Sequence, residues 1–132
     1  KPKHIDMKIK LLVIVMMVIG CKSDKDVFPT DIWSQDCQQL TADGDGYQLL
    51  GLCCLELRIS KLKLHRNQTF SAKGTLNSFT GAGFHPTSVE VSGHLSVASD
   101  TLYLNYKLDE YYSKSFTFTR GAAQHICTCM CD

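Results

Sequence analysis

The sequence has no long hydrophobic run, no surplus of one charge and no catalytic signature, and each absence removes a class of function. Its longest uninterrupted apolar stretch is nine residues, Leu11 to Ile19, about half of the roughly 20 that carry a helix across the hydrocarbon layer. From Cys21 onward ten basic side chains stand against twelve acidic ones. Without a basic stripe there is little to release phosphate counterions, so nucleic acid is not an expected partner. The chain contains no Gly-x-Ser-x-Gly elbow, phosphate loop, dinucleotide fingerprint or His-Glu-x-x-His pair, and no enzymatic activity is expected. Repeats and low-complexity tracts are also missing. With 44% hydrophobic and 20% charged residues over 132 positions, the composition suits one folded domain and not a disordered chain.

What is present begins with a leader. Lys8 and Lys10 precede the nine apolar residues, and Gly20 and Cys21 follow them, which is the grammar of a secretory signal peptide. Met7 is a plausible initiator, so residues 1–6 read as an upstream extension. The four residues Val18-Ile19-Gly20-Cys21 resemble the bacterial lipobox, with Ile19 bulkier than the usual occupant of its position. That resemblance implies that Cys21 is acylated through its nucleophilic sulfur and becomes the first residue of the mature protein. The expected organisation is therefore a helical signal peptide over 1–20, a lipidated tether over 21–30 and a β-barrel-like domain over 31–132. Ser23 and Asp24, just behind the cysteine, resemble the export signal that sends lipoproteins to the outer face of the outer membrane in one large group of Gram-negative bacteria. The implied address is the cell envelope, anchored to the outer membrane by lipid and facing the surface or the periplasm. The membrane is then the one defined partner.

In the exported part the apolar residues recur mainly with period two, which places them on one face of an extended chain. Leu62 and Leu64 alternate with Lys61, Lys63 and His65, and Arg66-Asn67-Gln68 then turns the chain into Thr69–Lys73, a hairpin pattern. Val89 to Val97 reads as a strand with a bulge or bend at Gly93. Residues 101–106 and 116–119 add two more strands. Residues 48–60 fit either a strand with a slip near Ile59 or a helical stripe, and strand is favoured. Residues 77–87, with Gly81, Gly83 and Pro86, read as the longest loop and a binding rim. The fold class is mainly β, a small antiparallel meander or closed barrel, because closure removes exposed edges.

The order of these elements, with Val-x-Gly followed by Asp-Thr-Leu-x-Leu, resembles the small lipocalin-like lipoproteins. Residues 50 to 106 also resemble the N-terminal barrel of NlpE-type copper-homeostasis lipoproteins. Those proteins have Cys-x-x-Cys where this chain has the adjacent pair Cys53-Cys54, and His94-Leu95 stands where a tryptophan is common. The resemblance implies a lipid-anchored barrel that binds a small ligand or an envelope protein.

Six cysteines remain beyond Cys21: Cys37, Cys53, Cys54, Cys127, Cys129 and Cys131. An even number in an exported domain of about 100 residues reads as a disulfide framework. At least one bond is expected between Cys53 or Cys54 and the C-terminal cluster, with Cys37 taking another. That expectation places the cluster on a last strand lying beside the first. The competing reading is a soft-metal site for copper or zinc, built from Cys127, Cys129 and Cys131 with His125 nearby, in a metal-handling or redox- and stress-sensing lipoprotein. A further alternative is an inhibitor or immunity lipoprotein. No cofactor other than the covalent lipid is otherwise expected.

Overall fold

The computed structural model describes residues 31–62 and 64–131. The leader, its expected helix and Cys21 lie outside the described residues. Eight strands follow one another: β1 (Trp33–Gln35), β2 (Gln38–Asp43), β3 (Gly46–Leu50), β4 (Leu55–Ile59), β5 (Thr69–Phe79), β6 (Phe84–Leu95), β7 (Thr101–Lys107) and β8 (Ser113–Arg120). Each pairs antiparallel with the next, and β8 pairs with β1 through Trp33 opposite Arg120, so the meander closes into a barrel. Closure leaves neither end strand of the sheet as an unpaired edge.

Alternation decides which side chains fill the barrel. Tyr47 and Leu49 of β3, Leu57 and Ile59 of β4, Val89 and Val91 of β6, Leu102, Leu104 and Tyr106 of β7, and Phe116 and Phe118 of β8 all point inward and are buried. Trp33 joins them at 2% exposure, and the rings of Phe116 and Phe118 stack with centroids 5.4 Å apart. The interior is thus a packed core of large side chains. Burying each such side chain contributes about 1.5–3 kcal/mol.

Several segments differ from the pattern read in the sequence, each for a physical reason. Residues 48–60 are extended, yet they form two strands, with a turn at the vicinal cysteines in place of a slip near Ile59. Among the described residues around Leu62 and Leu64 no strand forms. Those two leucines alternate because the connector buries them, at 5% and 2% exposure, and its backbone bonds to the neighbouring strands include Ser60 N–H to Lys73 O and Asn67 N–H to Leu95 O. Residues 77–87 are not a loop, because β5 and β6 pair without a break from Thr69–His94 to Phe79–Phe84 and only residues 80–83 turn. Their polar, Gly- and Pro-containing sequence fits a hairpin that overhangs its neighbours. Strand β7 pairs with β6 only from Glu90 to Leu95, which leaves Phe84–Val89 with no β7 partner. Pro86 is tolerated there, since that edge needs no donor from it.

Gly93 is not a bulge either. Its register is continuous on both sides, opposite Phe70 and Leu104. A Cβ there would run into the Tyr103 carbonyl oxygen and sit 2.7 Å from the Phe70 ring. The glycine lets two strands and an inward aromatic ring approach closely.

Candidate functional site

An up-and-down barrel puts alternate turns at alternate ends. The β1–β2, β3–β4, β5–β6 and β7–β8 turns share one end, and the chain leaves β8 at the other. Residues 121–131 contain no strand or helix, which corrects the expectation that the C-terminal cysteines occupy a last strand. The last strand, β8, does pair with the first, as expected of a closed meander, but the cysteines lie beyond it. They form a strap that returns along the outside of the barrel. Gly121 N–H donates to Ile32 O at 2.7 Å, Ala123 N–H to Gln39 Oε1 at 3.0 Å, and Cys127 N–H to Cys37 O at 3.1 Å.

All six described cysteines are oxidised. Cys37 bonds Cys127, Cys53 bonds Cys129 and Cys54 bonds Cys131, with Cα–Cα distances of 5.1, 5.1 and 5.5 Å. Every bond joins the strap to a turn at the far end of the barrel. The expected link between the vicinal pair and the C-terminal cluster is present twice, and Cys37 takes the third bond. The β3–β4 turn is tight: Gly51, Cys53 and Cys54 have φ of 82°, 50° and 61°. The left-handed region costs a non-glycine residue roughly 1 kcal/mol or more, so two consecutive cysteines in it are held there by their surroundings. The Gly51 backbone lies against the Cys37 carbonyl, which brings the two cysteine-bearing turns side by side.

His125 is exposed and lines an open groove with Ser34, Asp36 and Cys37, on the β1–β2 side of the strap. Among the described residues no group of three or more His, Cys, Asp or Glu side chains is arranged to hold a metal ion in this oxidised form. His94 stacks on Tyr103 with ring centroids 4.3 Å apart, on the outside of the barrel. Asp43 pairs with Gly46 across a two-residue hairpin turn, Gly44-Asp45, whose Gly44 has φ of 56°.

Several other polar side chains pair with one another or with the backbone. Arg120 joins the barrel seam: Nη2 donates to Ser99 O at 2.7 Å, lies 3.5 Å from Asp31, and its guanidinium sits 5.3 Å from the Trp33 ring centre. In the β6–β7 turn the Ser96 and Thr101 hydroxyls donate to Asp100 Oδ1 at 2.8 and 3.0 Å, which holds the Asp100 carboxyl below its ordinary range. Burial, with Asp31 adding to it, pushes the Tyr47 phenol up to about 12. Burial also raises Tyr106, and Tyr112 beside it raises it further. One open groove, of about 660 Å³, is lined by Asp43, Arg58, Lys61 and Lys73. Arg58 there is paired to Glu56 and to Asp43 at 3.7 Å.

Sequence reasoning missed β1 and β2, the Arg120–Trp33 seam and the exposed apolar tips. Phe84 meets Phe79 edge-on at 5.4 Å, while Met130 and Tyr111 are each 95% exposed. The signal that could have located the strap was the match between two adjacent cysteines and an alternating trio. No protein-family model matches this chain, and neither a curated protein nor a solved structure matches it.

Proposed function

We propose that this chain is the precursor of a lipid-anchored envelope lipoprotein, acylated at Cys21, whose exported barrel works through its outer surface as a non-enzymatic binding or bracing element. The observation that carries this reading is the oxidation of all six described cysteines. Disulfides of this kind persist in exported proteins and are reduced in a bacterial cytosol, in keeping with the leader and the lipobox-like Val18-Ile19-Gly20-Cys21. Eight antiparallel strands in up-and-down order are also the arrangement that lipocalins use. The resemblance to lipocalin-like lipoproteins would suggest a ligand held inside, but large side chains occupy the barrel interior. A filled barrel favours an envelope-protein partner over a small ligand. The outer membrane, with the barrel at the surface or in the periplasm, is the location this reading assigns.

The test has two arms. Mass spectrometry of the native product should find a diacylated N-terminal cysteine, absent from a Cys21→Ala variant; a product that begins upstream of Cys21, or one without fatty-acid mass, refutes the anchor. Titration of the purified protein with a fluorescent fatty acid should show no stoichiometric uptake. Saturable uptake at one molecule per chain would refute the filled-barrel reading and restore the carrier.

A further inference from the structure

The three disulfides are not equivalent. Cys53–Cys129 and Cys54–Cys131 are adjacent, with neighbours in sequence on the turn and residues two apart on the strap. Four sulfurs therefore share one patch at the β3–β4 turn. Cys37–Cys127 sits on the neighbouring turn and anchors the strap by itself, together with the Cys127 N–H bond to Cys37 O. Cys53 and Cys129 are exposed, whereas the other four cysteines are half-buried, and Cys54–Cys131 lies beside the thiolates that opening of Cys53–Cys129 frees. An incoming thiolate must reach a sulfur in line, so the exposed bond is the first to be attacked.

We propose that when these two adjacent bonds are reduced, Cys53, Cys54, Cys129 and Cys131 form a four-thiolate binding site for a thiophilic d10 cation of the zinc class. Two dithiols supply the reduction. Each gives up two electrons and two protons and ends as a cyclic disulfide, and the two protein S–S bonds become four S–H groups. A divalent cation then displaces four protons to solvent and is held by four thiolates. Zinc-class ions take four sulfur ligands in a tetrahedron, commonly two from each of two short chain segments. Here the segments are the vicinal pair and the Cys-x-Cys of the strap.

What makes the site more than four nearby cysteines is the bond that remains. With Cys37–Cys127 intact, Cys129 is two residues from a covalent anchor and cannot leave the turn. Binding of the second pair of thiolates is then intramolecular, at a high effective concentration. The tight turn adds to this, because Cys53 and Cys54, both at positive φ, already direct their sulfurs at the strap. The site differs from a Cys127-Cys129-Cys131-His125 cluster, since it uses the vicinal pair and leaves Cys127 oxidised and His125 aside.

The experiment uses the full-length oxidised chain. Limited reduction with dithiothreitol under nitrogen, followed by alkylation and peptide mapping, should label Cys53, Cys54, Cys129 and Cys131 while Cys37–Cys127 survives. Titration of that reduced form with Cd2+ should give a sulfur-to-metal charge-transfer band that saturates at one ion per chain, and Zn2+ should compete for it. Cys53→Ser and Cys131→Ser, each left with three thiolates, should show a band about a quarter weaker and a lower Cd2+ affinity, with near-ultraviolet circular dichroism of buried Trp33 reporting that the barrel is intact. The Cys37→Ser/Cys127→Ser protein should keep the one-ion stoichiometry but bind more weakly. Opening of Cys37–Cys127 first, absence of a saturable band, or equal Cd2+ affinity in urea-unfolded reduced chain would each overturn the proposal.

Discussion

Removing one disulfide at a time should show that the three bonds act as nested constraints. Taken alone, Cys37–Cys127 closes a 90-residue separation, which the chain-entropy treatment values at about 4.6 kcal/mol at 25 °C. The other two bonds have separations of 76 and 77, and summing all three as independent loops would give about 13–14 kcal/mol. The bonds are not independent. Once Cys37–Cys127 exists, Cys53–Cys129 closes only the ring made by residues 37–53 and 127–129, about 20 residues, for about 3 kcal/mol. Cys54–Cys131 then closes a ring of about five residues, for about 2 kcal/mol. Replacing Cys37 and Cys127 by Ser, with the other bonds kept, should cost about 3 kcal/mol, which is a fall in Tm of roughly 12–24 °C for a domain near 100 residues. Replacing Cys54 and Cys131 should cost no more than about 2 kcal/mol. The assay is equilibrium urea unfolding followed by the fluorescence of Trp33, the single tryptophan, which is 2% exposed when folded. Equal losses for the two pairs, or losses near 4.5 kcal/mol for each, would refute the nested-ring reasoning.

Gly93→Ala should destabilise the barrel by about 1–3 kcal/mol, because its Cβ must displace the Phe70 ring and the Tyr103 backbone; a neutral result in urea unfolding would contradict the close approach. The Asp100 carboxyl is held low by the Ser96 and Thr101 hydroxyls, so its contribution is present above the ordinary carboxylate range and is lost as pH falls through the lowered value. Asp100→Asn should therefore flatten the acid limb of the stability curve, and an unchanged limb would show that the turn does not sense this carboxyl. Tyr47 titrates at about 12 against an ordinary value of 10.0, so its contribution is complete below 10 and disappears as pH rises through 12. Tyr47→Phe should reduce the pH dependence of unfolding in that window, measured against the wild-type protein.

The parts of the fold legible in the sequence are those in which burial and pairing coincide. Val89, Val91 and Leu95, then Leu102, Leu104 and Tyr106, then Phe116 and Phe118 alternate because each lies in a paired strand with one face inward. Leu62 and Leu64 carry the same alternation outside any strand, since the connector also buries them. Periodicity reports which side of the chain meets the core and says nothing of what bonds its backbone. The converse error falls at residues 77–87, where the backbone pairs but the outer positions from Phe84 to Ser88 are exposed and so carry no apolar rhythm. Trp33 was passed over for a related reason, since a three-residue strand is too short to show any period.

The cysteines were legible as a set because count and compartment speak for themselves, whereas their geometry was not. An alternating Cys-x-Cys-x-Cys reads most simply as a strand, and strands acquire their partners by backbone pairing. This segment has no ladder, and from Cys127 onward three covalent bonds and one backbone hydrogen bond hold it. Sidedness alone was enough to bring the trio against the turns, because extended backbone presents residues 127, 129 and 131 on one side whether or not it belongs to a sheet. The same sidedness makes the strap replaceable in principle by a shorter anchor. A chain ending after Cys127 should keep the closed barrel and the larger part of its stability, while losing the four-sulfur patch altogether. If that truncated protein failed to fold, the strap beyond Cys127 would be part of the barrel's own stability and not an attachment to it.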